Sequence, residues 1–402
     1  MLSRTHPRTR VLPQVYVRSA ELTMPHCTLH IGGPKTGSTA IQDALFFHLR
    51  DPRFQYVSGG EPNGSLAFEA LFHEFPGSQR IFRRFGSPRG SFSAYQSALE
   101  RQWERGMDRA VANGTHLVIS AEHLWASPEP ALRRLSDFLV SRGFDIRVQG
   151  YLRPWKSWLT SLWVHKSVHD RGRFELLSPL DELVFQVLEN VERLREVFGR
   201  DRVQLSLFDP ARFPEGCVVR HFASQIGLRV PPGFRLRAND GCSRPAIQLA
   251  YCYNRFENPV QEEDADYPPN KFRMLGLVRQ LQGPRLRLHP ELVEPWYAEQ
   301  RKLDPWIERE FGFSLEDPPA ASPIVGAIRS EADLFEFDPE TLAWLARESG
   351  QPVIRQQSGE EAARQVARQV SLLRFRRLPP REIRDGVLLR LRKAWVRARW
   401  GC

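Results

Sequence analysis

Residues 29–42 read LHIGGPKTGSTAIQ, and this stretch decides the fold. Cys27, Leu29 and Ile31 supply the apolar positions of a short buried strand. Gly32, Gly33 and Pro34 break it. From Ser38 onward, Ala40, Ile41, Ala44, Leu45 and Leu49 recur at helical spacing. The order is strand, glycine-rich turn, helix. Such a turn aims several backbone N–H groups at one point, where the helix dipole is positive. Glycines let the backbone curl and approach a ligand closely. Lys35, Ser38 and Thr39 add an ammonium and two hydroxyls. The stretch reads as an anion cradle for a phosphate-like group. A tight turn with an exposed lysine is the plainer alternative.

Outward from this stretch, strands and helices alternate. Residues 51–91 are rich in Gly, Pro and Phe, carry a basic cluster at Arg80, Arg83, Arg84 and Arg89, and read as mostly irregular. In 93–113 the four-residue spacing of Tyr95, Leu99, Trp103 and Met107 predicts a helix. HLVIS at 116–120 is a second strand, ending in AEHLW. Ser127, Pro128 and Glu129 look like a helix start with Ser at the cap, running to about Arg142. Residues 145–152 are a third strand and Pro154 opens another helix. A long helix over 180–198, a fourth strand over 203–208 and a helix over 217–226 follow. This alternation implies parallel βαβ units in a layered α/β sheet. Ligands in such sheets sit at the carboxyl ends of the strands. Residues 32–39, 121–125 and Arg153 each follow a strand, so they should converge on one crevice.

After about Ala238 the strand pattern stops and the chain becomes helical and Pro-interrupted, with linker-like ENPVQEEDADYPPN and EDPPAASP. Residues 362–400 are strongly basic, with Leu388, Leu389, Leu391, Trp395, Val396 and Trp400 on an apolar side of the last helix. That helix either packs on its own domain or makes a weak membrane-surface contact. The expected organisation is a lead over 1–24, an α/β domain over 25–257 and a helical extension over 258–402 that can pack on the same domain. A start at Met24 is favoured over Met1.

The chain has 402 residues and a formal net charge of +10, which favours an anionic partner without choosing it. Its five cysteines are scattered, with no C-x-x-C, which argues against a disulfide framework or zinc site and fits a reducing compartment. No apolar run is long enough to span a bilayer, and residues 1–23 lack a secretory h-region. A bacterial cytoplasmic location, peripheral to the membrane at most, is expected.

In a nucleotide-triphosphatase loop, G-x-x-x-x-G-K-[ST], lysine directly follows the second glycine. Here Gly32 and Gly37 have that separation, but Ser38 takes the lysine position and Lys35 precedes Gly37 by two. A second motif, YLRPWKSWLTSLW at 151–163, places Arg153 after a strand and Ser161 on the next helix. A guanidinium and a hydroxyl suit a phosphate monoester.

The loop K-T-G-S-T at 35–39 resembles the 5′-phosphosulfate loop of sulfotransferases dependent on 3′-phosphoadenosine 5′-phosphosulfate, PAPS. Arg153 with Ser161 eight positions later resembles the second part of that signature, which binds the 3′-phosphate. VQLSLFDPARFPEGCVVRHFASQIGL and ANDGCSRPAIQLAYCYNRF resemble later segments of bacterial members, so the likeness spans about 25–256. It implies a P-loop-like three-layer α/β fold with a central, mostly parallel sheet. It also implies sulfuryl transfer from PAPS to a hydroxyl or amine acceptor, with 3′,5′-adenosine bisphosphate as product and no metal. Lys35 would stabilise the leaving bridging oxygen. Thr36, Gly37, Ser38 and Thr39 would hold the 5′-phosphate, and Arg153 and Ser161 the 3′-phosphate. For a general base the likeness offers Glu122 first, kept ionised by a neighbouring Lys, with His123 as runner-up; His165 and His169 more plausibly line the acceptor cleft. Trp155, Trp158 and Trp163 beside Lys156 and His165 either stack on sugar rings or belong to the core; a carbohydrate or cell-envelope glycan acceptor is favoured, with small phenols, lipids and peptides as alternatives.

Two other classes compete. A P-loop kinase or NTPase would require magnesium-dependent ATP binding. A non-enzymatic polyanion binder would use the basic C-terminal helices with strong salt dependence; no stable nucleic-acid partner is expected. Deleting 364–402 separates these, since donor binding should survive it.

Overall fold

In the computed structural model the described residues are 25–74, 92–169, 186–231, 233–234, 242–257, 271–317 and 326–375. The lead, the basic cluster at 80–89, most of both linker-like stretches and the basic stretch from residue 376 onward lie outside them.

The chain begins with β1 (His26–Ile31) and α1 (Ser38–Asp43), which runs on as a π-helical turn, Ala44–His48. Then come β2 (Phe54–Tyr56), α2 (Ser65–Phe72), α3 (Phe92–Ala112), β3 (His116–Ala121), α4 (Glu129–Val140) and β4 (Asp145–Leu152). They are followed by α5 (Trp155–His169), α6 (Val187–Phe198), β5 (Val203–Leu207) and α7 (Val218–Ile226). The later elements are α8 (Arg244–Cys252), α9 (Lys271–Val278), α10 (Pro290–Gln300), α11 (Asp304–Phe311), α12 (Pro339–Ser349) and α13 (Glu360–Leu372).

The sheet is all parallel, in the order β2-β3-β1-β4-β5. Ile31 of the central strand pairs with Ala121 on one side and Gly150 on the other, so the three strands end at one edge. Alternation along the strands sorts side chains into two layers. Cys27, Leu29 and Ile31 join Leu117, Ile119, Ile146 and Val148 in the larger core, under α3 to α6. Val118 and Tyr151 enter the other layer with Ile41, Leu45, Val219 and Phe222. The architecture is a three-layer α/β domain with a helical extension, as the alternating pattern predicts.

The chain leaves β1 towards β2 but leaves β4 towards β5, in opposite directions across the sheet. Right-handed crossovers therefore put α1 on one face and α5 on the other. The crevice opens between the carboxyl ends of β1 and β4, where the strand order reverses.

Two expectations need correction. Residues 51–91 hold a strand, β2, whose three residues pair with β3 at the sheet edge; so short a run leaves no periodic signal. The helix at 129 is capped by Pro128 with no side-chain bond. Ser127 Oγ instead donates to the His123 carbonyl and meets His73 Nε2. Of the helix expected over 180–198, residues 180–185 lie outside the described residues and α6 covers Val187–Phe198. Beyond β5 the described residues hold no further strand, only isolated bridges such as Ser243 to Arg285. Tyr251, Met274, Val293, Ile307, Leu342 and Val366 from the later helices are buried in the larger core.

Candidate active site

The loop after β1 is built around two left-handed residues. Gly37 has φ +79°, and Lys35, which has a side chain, has φ +64°. The left-handed region costs a non-glycine residue roughly 1–3 kcal/mol unless its surroundings hold it there. Two contacts do so. The Arg153 guanidinium donates to the Lys35 carbonyl at 3.0 Å, and the buried Thr36 Oγ1 donates to the Gly33 carbonyl at 2.6 Å. A Cβ on Gly33 would lie 2.8 Å from the Tyr151 carbonyl oxygen, and one on Gly32 would lie 2.1 Å from Ser38 Oγ. Only glycine fits at these positions.

Ser38 opens α1 at 5% exposure, and its Oγ has no hydrogen-bond partner among the described residues. A buried hydroxyl normally finds one. Here it sits among the unsatisfied N–H groups of a helix start, as an anion cradle requires. Thr39 is exposed.

Arg153 leaves β4 at the same edge. Its Nε donates to Ser157 Oγ at 3.0 Å, its Nη1 holds Lys35, and its guanidinium carbon is 5.5 Å from the Phe208 ring centre. Burial lowers its pKa to about 10, with Arg285 adding to the fall and Asp317 opposing it, so it stays cationic at neutral pH. Lys35 and Arg153 are thus brought together as the strand order requires. Ser161 is half-buried two turns into α5 and bonds neither Arg153 nor the loop among the described residues. Ser157, one turn nearer, takes the arginine instead, a position no spacing rule singles out.

Asp317 fixes the start of α5 by accepting from the Lys156 and Ser157 N–H groups at 2.6 and 3.1 Å. Leu315 adds a carbonyl for Trp155 N–H at 3.0 Å. These residues lie at the edge of a stretch that reads as linker. Proline-rich composition concealed them.

Glu122 follows β3. A Cβ on Gly32 would meet its Cγ at 3.0 Å, so its side chain crosses the same point as Ser38. Burial raises its pKa, against the opposing pull of Lys35 and His123. A neighbouring lysine is present, as expected, but desolvation outweighs it. His123 is bound at Nδ1 by the Glu69 carboxylate of α2, a residue the sequence did not mark. That bond, with the charges of Glu69 and Glu122, raises its pKa against burial. His165, on α5, is lowered to about 4, by desolvation first and then by Lys35, Arg279 and Lys166. Lys35, Glu122 and His165 therefore share one electrostatic neighbourhood. His169 closes α5.

Of the two readings of the tryptophans, the structure selects the core. Trp155 and Trp158 are 0% exposed and Trp163 is 1% exposed. Trp155 Nε1 donates to Asp304, and its ring stacks on Trp158 at 5.9 Å. They are core, not a sugar platform. Lys156 is engaged too, 4.2 Å from the Tyr297 ring centre and 3.5 Å from Glu294. Among the described residues no group of three His, Cys, Asp or Glu side chains is placed to hold a metal ion, and no helix is long and apolar enough to cross a membrane.

No family model and no curated protein matches the chain. Among solved structures it is similar to a sulfotransferase from Alicyclobacillus acidocaldarius, at 16% identity over 58% of this chain and 93% of that one, with a TM-score of 0.31. It is also similar to a chain of the PezAT chromosomal toxin-antitoxin system of Streptococcus pneumoniae, at 16% identity over 46% of this chain and 69% of that one, with a TM-score of 0.26. Likenesses this distant carry no argument about chemistry.

Proposed function

We propose that this chain is a sulfotransferase that moves a sulfuryl group from PAPS to a hydroxyl or amine acceptor. The observation that carries it is the buried Ser38 Oγ at the head of α1, without a hydrogen-bond partner among the described residues and set between Glu122 and a lysine loop tied to Arg153. The glycines at 32 and 33 let Ser38, Glu122 and the Tyr151 carbonyl pack against the loop, and Ser38 and Arg153 supply donors.

The bound donor supplies an activated sulfuryl group on a phosphate oxygen. Ser38, Thr39 and the N–H groups of 36–39 hold its 5′-phosphate, and Arg153 faces the 3′-phosphate. Glu122, partly desolvated and still anionic when working, accepts the proton of the attacking hydroxyl. As the new O–S bond forms and the bridging O–S bond breaks, negative charge collects on the bridging oxygen. The Lys35 ammonium faces that charge, which is electrostatic stabilisation by a preorganised group. His165, neutral beside Lys35, lines the acceptor side.

Calorimetry with 3′,5′-adenosine bisphosphate and with ADP, each with and without magnesium, tests the donor site. Metal-independent binding of the bisphosphate, weak ADP binding and at least tenfold loss in Arg153→Ala are expected, since a charge-assisted contact is lost. Preference for magnesium-ADP would overturn the assignment in favour of a P-loop kinase or NTPase.

A further inference from the structure

The turn that carries Glu122 and His123 is held from α2 at several points. The Glu69 carboxylate pairs with His123 Nδ1, and both belong to side chains at different depths: Glu69 is 13% exposed and His123 48%. The His123 N–H donates to Ser65 Oγ at 3.1 Å, at the start of the same helix. Just past its end, His73 Nε2 meets Ser127 Oγ at 3.0 Å, and that hydroxyl donates to the His123 carbonyl at 2.6 Å. The imidazole therefore cannot swing away without breaking the Glu69 pair.

The groups around this imidazole are mostly anionic at close range. Glu69 faces it from α2 and Glu122 from its own turn. His73 lies beyond the end of α2. Arg134 of α4 is turned to the Phe72 carbonyl, and Arg193 of α6 to the Ser127 carbonyl. Lys35 acts on the neighbouring Glu122 from the β1 loop. An imidazole bonded at Nδ1 to one carboxylate and flanked by a second holds its second proton well.

We infer that Glu69 is a positioning residue that keeps His123 as a cationic hydrogen-bond donor at the mouth of the crevice, where it binds an anionic part of the substrate and does not take the acceptor's proton. This rests on the sulfotransferase reading of the crevice, and it leaves Glu122 as the base. The raised pKa of His123, due first to its bond with Glu69, agrees with the geometry.

NMR titration of the histidine Cε1 protons in the full chain, with His123 assigned from His123→Asn, tests the hold. The His123 midpoint should lie above the ordinary 6.5, fall by about one pH unit in Glu69→Gln, and stay high in Glu69→Asp. Equal midpoints in wild type and Glu69→Gln would overturn the inference. A second arm measures inorganic sulfate binding to protein loaded with 3′,5′-adenosine bisphosphate. At pH 8 Glu69→Gln should bind sulfate about tenfold more weakly than wild type, and at pH 5.5 equally, because His123 is then protonated in both. Equal binding at pH 8 would remove His123 from anion recognition. Absence of bisphosphate binding would instead remove the reading of the crevice and the role of His123 there, while the titration still judges Glu69 separately.

Discussion

At the scale of the residue, the site is governed by which charges are desolvated. Glu122 shows this. Lys35 and His123 pull its pKa down, but burial raises it further than they lower it. A general base works best with a pKa close to the working pH, so the upward shift suits the role. The sign for activity follows. The anionic form is lost as pH falls through the raised value, so the acidic limb of kcat/KM should lie above the 4.5 of an ordinary Glu. Glu122→Gln should remove that limb and lower turnover by about 10²–10⁴-fold, measured as bisphosphate release. That Glu122 and Arg153 sit at the crevice was legible because each directly follows a strand end, and that Lys35 does because it lies in the glycine turn after β1. Glu69 and Ser157 were not, since their roles depend on the angle at which a helix returns to the sheet, which no local spacing encodes.

At the scale of the element, α5 is the piece that needs outside help. It begins beside the crevice, and its start is capped by Asp317, far along the chain. Residue 157, bonded to Arg153, sits inside that capped turn. Asp317→Ala should cost about 1 kcal/mol, the usual worth of a lost cap, and lower the thermal midpoint of unfolding. Asp317→Asn keeps an acceptor oxygen and should lose less. β4 was predicted to the residue, and β1, β3 and β5 to within one, because each apolar run is bounded by turn residues. β2 was missed because three residues on a sheet edge carry no periodicity.

At the scale of the whole molecule, the larger core passes from the sheet into the later helices without a break. Trp158 is buried at its centre, and Trp158→Ala should cost about 3–5 kcal/mol, visible as a lower urea midpoint by circular dichroism. Alternation of strands and helices gave the layered architecture away; packing of the extension on the same domain was open in the sequence without its contacts, because helical periodicity names a buried face but not its partner. The same packing changes an experiment. Val366, Ala367 and Val370 of α13 are 0% exposed, so deleting 364–402 strips core side chains along with the basic tail. Such a truncation should lower stability as well as charge, and loss of donor binding in it would report unfolding rather than a missing site.

The backbone of Lys35 has a consequence for how the loop can change over time. Its left-handed shape is secured by an arginine on another strand, so positions 35 and 153 share one conformational debt. A lineage that loses the arginine first is left with a costly lysine, whereas one that first acquires glycine at 35 is not. Lys35→Gly and Lys35→Ala should therefore be equally poor in turnover, but in an Arg153→Ala background the glycine should be the more stable, by roughly 1 kcal/mol. A thermal melt of the two double variants reads that difference, and with it the order in which such a pair of residues can be exchanged.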